Sequence, residues 1–330
     1  MKAVCVKPDR SLEIRDVPTP ADPPAGHLLV DVDACGVNHG DKAFLALTPP
    51  MALAARGSAV WGASAVGRVI ASGAGVPEAY AGRRVAIYRS LRATPETIGL
   101  WCERAQVHHL TCLILPDDAS VRDYCGSLVN VITAYAFLQQ AREEGHRGII
   151  VTAGGSATGQ ALVALTRGSD TPLLHLVRSA AARSALQRRG AEHVLVTSDA
   201  NFESAFAALA ERLGATALFD GLGGDIVGRL APHLPENATF YFYGFLGGPV
   251  PIALPTSLVM MKNLTMKRFS NFESATVKDS DKLAAALADL QKRIGDDLFR
   301  TRIGKEFRFD DIDAAMKFET APGAKAALVA

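Results

Sequence analysis

At 330 residues, with 48% hydrophobic and 21% charged side chains, the chain has an ordinary globular composition and is long enough for two domains that each bury a core. Its 35 basic residues nearly balance 34 acidic ones, for a net charge of +1. That balance excludes the broad positive field of a nucleic-acid binder or of a protein drawn to anionic membranes, so any bound anion has to be met by a local site.

The chain opens on MKAVCVK, too short an apolar stretch for a signal peptide, and no apolar run reaches bilayer-spanning length. The five cysteines (Cys5, Cys35, Cys102, Cys112, Cys125) are scattered without a C-x-x-C pair. Reduced thiols in the cytoplasm are expected, with neither a disulfide framework nor a structural zinc lobe. LEIRDV, LLVDVDA, VGRVIASG, RRVAIY and QVHHLTCLILP then follow as short strands punctuated by Pro and Gly, the pattern of a barrel or sandwich.

From about 122 to 144 the sequence reads as a helix, and a new rhythm begins. Strand GIIVTA leads through a glycine-rich turn into a helix ending near Arg167. LLHLVR precedes AAARSALQRR, and HVLVTS precedes NFESAFAALAERL. ALFDGL, VGRLAPHL and TFYFYG complete the run. Apolar strands alternating with glycine-capped helices predict βαβ units and a parallel sheet. Leu283, Leu287, Leu290 and Ile294 then mark an amphipathic helix, and EFRF and ALVA read as strands around the short helix DIDAAMKFE. The expected architecture is α/β. A β-rich domain of residues 1–121 and 266–330 is interrupted by a doubly wound domain of residues 122–265.

The chemistry concentrates in GIIVTAGGSATGQALVAL. Small residues Ala153, Gly155, Ser156, Ala157, Thr158 and Gly159 fill the turn between a buried strand and a helix, where a dinucleotide pyrophosphate meets a helix N-terminus. Against G-x-G-x-x-G the match is imperfect, with Ala153 first; Ser156 read alone is a helix cap. An NAD site usually has an acidic residue about 20 residues on, at the end of the next strand. Here that strand ends Val177-Arg178-Ser179, with Arg183 a turn later, and no carboxylate is expected nearby. The 2′-phosphate of NADP(H) suits these arginines, whose bland role is to solvate a helix face.

Taken in order, MKAVCVK, LEIRDVPTP, HLLVDVDACGVNHGD, GLWCERAQV, NVITAY, FDGLGG and GAKAALV resemble successive segments of the medium-chain dehydrogenase/reductase superfamily over nearly the whole chain. The resemblance implies a GroES-like β-rich catalytic domain, discontinuous around a Rossmann domain, and a homodimer. Zinc members of that family carry C-G-V-C-H-T-D and G-H-E. Residues 35–41 here read C-G-V-N-H-G-D and residues 62–64 read G-A-S. Asn38, Ala63 and Ser64 are poor zinc donors, so no catalytic metal is expected. What remains resembles the zinc-free quinone oxidoreductase and 2-enoyl thioester reductase branches.

Without a Lewis acid, hydride transfer to a quinone or enone is easier than to a simple ketone, because charge spreads over a phenolate or enolate. The expected function is NADPH-dependent reduction of quinones or other conjugated carbonyls. An enoyl thioester or alkenal reductase, and a non-catalytic NADPH-binding sensor or structural protein, stand as alternatives. Asn38 is expected to orient the nicotinamide or the substrate oxygen, with Thr133 beside the nicotinamide and His39 as a donor. Trp101 is expected to wall an apolar pocket. Gly244, Phe245, Phe269 and Lys325 are expected to complete the cofactor site. Related reductases carry a proton-donating Tyr soon after the Asn motif, and KAFLALTPPMALAARG has none. Cys102 reads as either a redox thiol or an inert buried one.

Overall fold

The computed structural model describes residues 1–47, 60–92, 94, 99–319 and 324–330. Residues 48–57 of the tyrosine-less stretch lie outside them. The chain divides into two compact units, Met1–Asn130 with Ser280–Ala330, and Val131–Asp279.

In the first unit β1 (Lys2–Val6) and β2 (Leu12–Asp16) form an antiparallel pair. A seven-stranded sheet is built around β3 (His27–Gly36), a ten-residue strand that buries both ends and exposes Asp31 and Asp33 between them. α1 (His39–Leu47) leaves its end directly. β4 (Ser64–Ser72) and β6 (Arg104–His108) pair with β3, and β5 (Arg84–Tyr88) and β7 (Cys112–Ile114) extend the sheet beyond β4. One glycine position here is obligatory. Gly62 has φ +94°, and a Cβ on it would lie 2.2 Å from Trp101 Cδ1, so the indole packs where a side chain would stand.

α2 (Ser127–Glu143) starts later than the sequence suggests, because Val121–Tyr124 forms a separate short turn of 3-10 helix. The second unit carries a six-stranded sheet in which every pairing is parallel. Its elements are β8 (Gly148–Val151), α3 (Ala157–Thr166), β9 (Leu173–Val177), α4 (Ala180–Gln187), β10 (His193–Val196), α5 (Phe202–Leu213), β11 (Ala215–Asp220), α6 (Asp225–Leu230), β12 (Thr239–Phe242), α7 (Thr256–Met261) and β13 (Thr265–Arg268), followed by α8 (Ala275–Lys278). The strand order β10-β9-β8-β11-β12-β13 is doubly wound, and its direction of winding reverses between β8 and β11. Such sheets bind ligands at the carboxyl ends flanking that reversal. β13, TMKR, is an edge strand that the sequence reading missed. Its side chains are largely solvated, so only main-chain pairing with β12 defines it.

The chain then returns to the first unit through α9 (Ser280–Arg293), β14 (Arg302–Arg308), α10 (Ile312–Lys317) and β15 (Ala324–Val329). β15 pairs with β3 at Leu328↔Cys35 and Ala327↔Gly36. This pairing carries Lys325 to the start of α1. Among the described residues no helix is long and apolar enough to cross a membrane.

Candidate active site

The turn after β8 is shaped by small residues for identifiable reasons. Ala153 adopts φ +50°, a left-handed conformation that costs a residue with a Cβ about 1 kcal/mol and that glycine takes without strain. A Cβ on Gly159 would sit 2.1 Å from Gly154 O, so α3 packs against the turn only because that position is bare. A Cβ on Gly155 would meet nothing within 4 Å, which leaves open space over the turn. Ser156 caps α3, its Oγ accepting from Gly159 N at 3.2 Å. The reading of Ser156 as a helix cap therefore holds. Ala157 and Thr158 form the first turn of α3, where helix geometry directs N–H groups outward.

At the end of β9, Arg178 is exposed and Ser179 caps α4, accepting from Ala182 N at 3.2 Å. The expectation that no carboxylate lies near does not hold. Asp199, just past β10, accepts from Arg183 Nη1 at 3.1 Å. Parallel neighbours in a sheet bring together strand ends that are distant in sequence. Arg183 is thus shared with a half-exposed acid, and Arg178 is the better placed of the two for a phosphate.

Beside the winding reversal, Asp220 is fully buried and organises the FDGLGG turn. It accepts from Thr152 Oγ1 at 2.6 Å, Leu222 N at 3.2 Å and Gly223 N at 2.7 Å, while Gly221 N donates to Thr152 Oγ1 at 2.9 Å. Tyr243, which the sequence reading passed over, leans across this turn. A Cβ on Gly221 would stand 2.7 Å from its hydroxyl, which is buried beside Ser156 without a hydrogen bond of good geometry. Burial and then the Asp220 charge push this phenol's pKa up, so it is a donor at every ordinary pH. Gly244 approaches the same turn, where a Cβ would meet Gly221 O at 3.0 Å. Phe245 is 49% exposed in the following loop. Phe269 is placed differently from the expectation. It is 7% exposed, with its ring edge-on to Phe137 and Phe219, so it belongs to the core. Thr133 on α2 accepts from Asn271 Nδ2 at 2.9 Å.

In the first unit the motif C-G-V-N-H-G-D folds into a closed polar cluster at the start of α1. Asp41 reaches back to Asn38 N at 2.8 Å, as the third residue of a helix does in a capping box. It also accepts from Ala63 N at 3.0 Å. Asn38 is 6% exposed and commits both amide hydrogens, to Ser64 Oγ at 2.8 Å and Asp41 Oδ2 at 3.0 Å. Its Oδ1 accepts from Lys325 Nζ at 2.6 Å. Asn38 was expected to orient the nicotinamide or the substrate oxygen; its two amide hydrogens are spent within the protein and its oxygen holds Lys325. Lys325 Nζ also donates to Gly126 O at 3.3 Å, and burial lowers its pKa to about 8. Burial likewise raises the Asp41 carboxyl, against the hydrogen bonds from Asn38.

His39 is exposed on the first turn of α1. Trp101 is not a pocket wall. It has no exposed surface, packs on Gly62, and donates from Nε1 to Gly36 O at 3.3 Å. Cys102 beside it is equally buried, and desolvation pushes its thiol up to about 12, which makes it inert. Ala63 and Ser64 stand beside Asn38 as the sequence implies, and Ser64 serves as a hydrogen-bond acceptor. Among the described residues no three His, Cys, Asp or Glu side chains converge as a metal site requires.

Known proteins share this organisation. Residues 24–136 match the alcohol dehydrogenase GroES-like domain. The human synaptic vesicle membrane protein VAT-1 homolog is 26% identical over 242 residues, 70% of this chain and 58% of that protein. The chain thus spans under three fifths of the length of the curated relatives it matches. Escherichia coli quinone oxidoreductase complexed with NADPH has the same fold over 100% of both chains, at a TM-score of 0.78 and 19% identity. A 2-haloacrylate reductase structure covers 100% of this chain and 99% of its own, at a TM-score of 0.73 and 18% identity. Residues 24–136 thus carry the GroES-like domain of alcohol dehydrogenases, and the whole chain has the fold of the quinone oxidoreductase structures.

Proposed function

We propose that the chain is an NADPH-dependent oxidoreductase acting on quinones or other conjugated carbonyl compounds, working as a homodimer without a catalytic metal. The observation that carries the cofactor half is the turn after β8. Gly155 faces open space over a helix N-terminus, Gly159 lets that helix pack closely on the turn, and the exposed Arg178 follows the next strand, which bears no acidic residue of its own. Ala153, Gly155, Ser156, Ala157, Thr158 and Gly159 would hold the pyrophosphate. Arg178, with Ser179 and Arg183, would hold the 2′-phosphate. Tyr243 and Gly244 line the same turn and would meet the cofactor further along, with Thr133 and Phe245 nearby in sequence to the motifs that resemble the family's. NADPH, when bound, supplies the hydride.

The substrate half rests on what replaces zinc. Asn38, Ala63 and Ser64 offer no Lewis acid, so a substrate that delocalises its own negative charge is favoured over a simple ketone. The E. coli quinone oxidoreductase and the 2-haloacrylate reductase of the same fold lend support at the level of reaction class. The test is turnover of NADPH, followed by its near-ultraviolet absorbance, with 1,4-benzoquinone, 9,10-phenanthrenequinone and crotonyl-CoA. Rapid quinone turnover supports the reading. Preference for crotonyl-CoA moves it to the thioester reductases. Tight NADPH binding with no turnover of any conjugated carbonyl favours a cofactor-sensing protein and contradicts it.

A further inference from the structure

β9 reads Leu-Leu-His-Leu-Val, and all five of its residues are buried between neighbours β8 and β10. Strands of this kind are ordinarily apolar throughout. His175 at the centre is the exception, with only 1% of its surface exposed. Burial lowers its pKa to about 4, so the ring is neutral at ordinary pH. A neutral imidazole donates from one nitrogen only. Nε2 lies 3.0 Å from Gly159 O, and a carbonyl can only accept, so Nε2 carries the hydrogen. Nδ1 is then a buried acceptor with no partner among the described residues. An unsatisfied buried acceptor is destabilising, so packing alone does not account for a histidine where leucine would fit. What it has that leucine lacks is the hydrogen bond to Gly159.

That carbonyl belongs to the first turn of α3, the helix that follows the glycine-rich turn. The turn itself also rests on β9. A Cβ on Gly154 would stand 2.9 Å from His175 Cβ and 3.2 Å from its Cδ2, so the ring edge lies directly under this position. Gly154 N donates to Leu176 O at 2.9 Å. His175 and Leu176 thus hold the segment at two points, one in the turn and one on the helix. At the β8 end, Thr152 is tied to Asp220. A slide or rotation of α3 over β9 would carry the N–H groups of Ala157 and Thr158 with it. Groups that grip a ligand have to be held within about 0.5 Å of their working positions by contacts behind them.

We propose that His175 is a positioning residue for cofactor binding, whose hydrogen bond to Gly159 O fixes the start of α3 against β9 in the orientation that the pyrophosphate of NADP(H) requires. This rests on the cofactor reading of the turn and adds to it a residue that touches no ligand.

The experiment compares the unaltered protein with His175→Leu and His175→Gln, by calorimetric titration with NADP+ and with 2′-AMP, beside thermal unfolding without ligand. 2′-AMP carries the 2′-phosphate but no pyrophosphate, so it reports on the Arg178 end alone. Leucine keeps much of the volume and loses the donor, whereas the glutamine amide places an N–H close to where Nε2 stands. The unfolding midpoint of His175→Leu is expected to equal or exceed that of the unaltered protein, because the unpaired Nδ1 is gone. Its Kd for NADP+ should nevertheless rise at least about tenfold, while its Kd for 2′-AMP stays within about twofold. His175→Gln should recover NADP+ affinity to within about threefold of the unaltered protein. If the leucine variant does not fold, His175→Asn, whose shorter amide falls short of Gly159 O, replaces it with the same binding expectations. Unchanged NADP+ affinity without the donor would overturn the proposal. Equal losses for the two ligands, or a loss that glutamine does not restore, would overturn it as well. Failure of the unaltered protein to bind NADP+ would instead overturn the cofactor reading, and this inference with it.

Discussion

Lys325 and Asn38 are 287 residues apart in the chain and joined by a 2.6 Å hydrogen bond. The parallel pair β14 and β15 and the antiparallel pairing of β15 with β3 bring them together. Asn38 links four groups in one cluster: its own helix start, Asp41, Ser64 and Lys325. Asn38→Leu keeps the volume and removes every polar contact. It is expected to cost roughly 2–4 kcal/mol, because buried Asp41 and Ser64 atoms and the Lys325 ammonium lose partners together. Urea unfolding of the two proteins checks this, and a loss below about 1 kcal/mol would mean the cluster is far wetter than its burial indicates.

Lys325 also gives stability a pH dependence of known sign. Its folded pKa of about 8 lies below the ordinary lysine value because burial disfavours the ammonium. Between about 8 and about 10.4 the unfolded chain holds this proton and the folded chain does not, so unfolding takes up a proton. The Lys325 contribution to stability is therefore present above that window and lost as pH falls through it. The difference in unfolding free energy between the unaltered protein and Lys325→Met should rise with pH across the window. A flat or falling difference would contradict the depressed pKa.

Tyr243 carries a buried hydroxyl without a well-formed hydrogen bond. In the absence of cofactor, Tyr243→Phe is expected to be neutral or stabilising by up to about 1 kcal/mol, since it removes an unsatisfied donor. The same change should weaken NADPH binding roughly threefold to tenfold, because the bound cofactor supplies the missing acceptor. Calorimetric titration beside thermal unfolding separates the two effects. An unchanged affinity would make Tyr243 a packing residue.

Arg178 and Arg183 differ in what already holds them. Arg178→Asp is expected to weaken NADPH binding by at least about tenfold while NADH binding changes little. Asp199→Asn should strengthen NADPH binding a few-fold, because Arg183 no longer divides its charge between the acid at 3.1 Å and the phosphate. Equal losses for both cofactors in Arg178→Asp would remove the 2′-phosphate assignment.

What could be read from sequence was what is local in the chain. The strand–turn–helix around 153–159 announces itself through small residues, and the repeating strand and helix periods announce the parallel sheet. The replacement of zinc donors at Asn38, Ala63 and Ser64 is a matter of residue identity alone. Pairings made by the fold were not legible. Asp199 reaches Arg183 only because neighbouring strands end side by side. β13 escaped notice because an edge strand of Thr, Met, Lys and Arg carries no buried alternation. Trp101 looked like a pocket wall, yet it packs on Gly62, a contact that no spacing rule predicts. Asn38 stood out in the sequence by residue identity alone, as the residue in place of a zinc-ligand Cys. That its amide faces inward depends on Ser64, Asp41 and Lys325, which converge from three separate elements.

The central claim is that the turn after β8, with Arg178 beyond it, binds NADPH for hydride transfer to a conjugated carbonyl. Its most direct test is kcat/KM for NADPH against NADH, with saturating 1,4-benzoquinone. The account predicts turnover with NADPH favoured by at least about tenfold. Equal efficiency with the two cofactors, or no turnover with either, would contradict it.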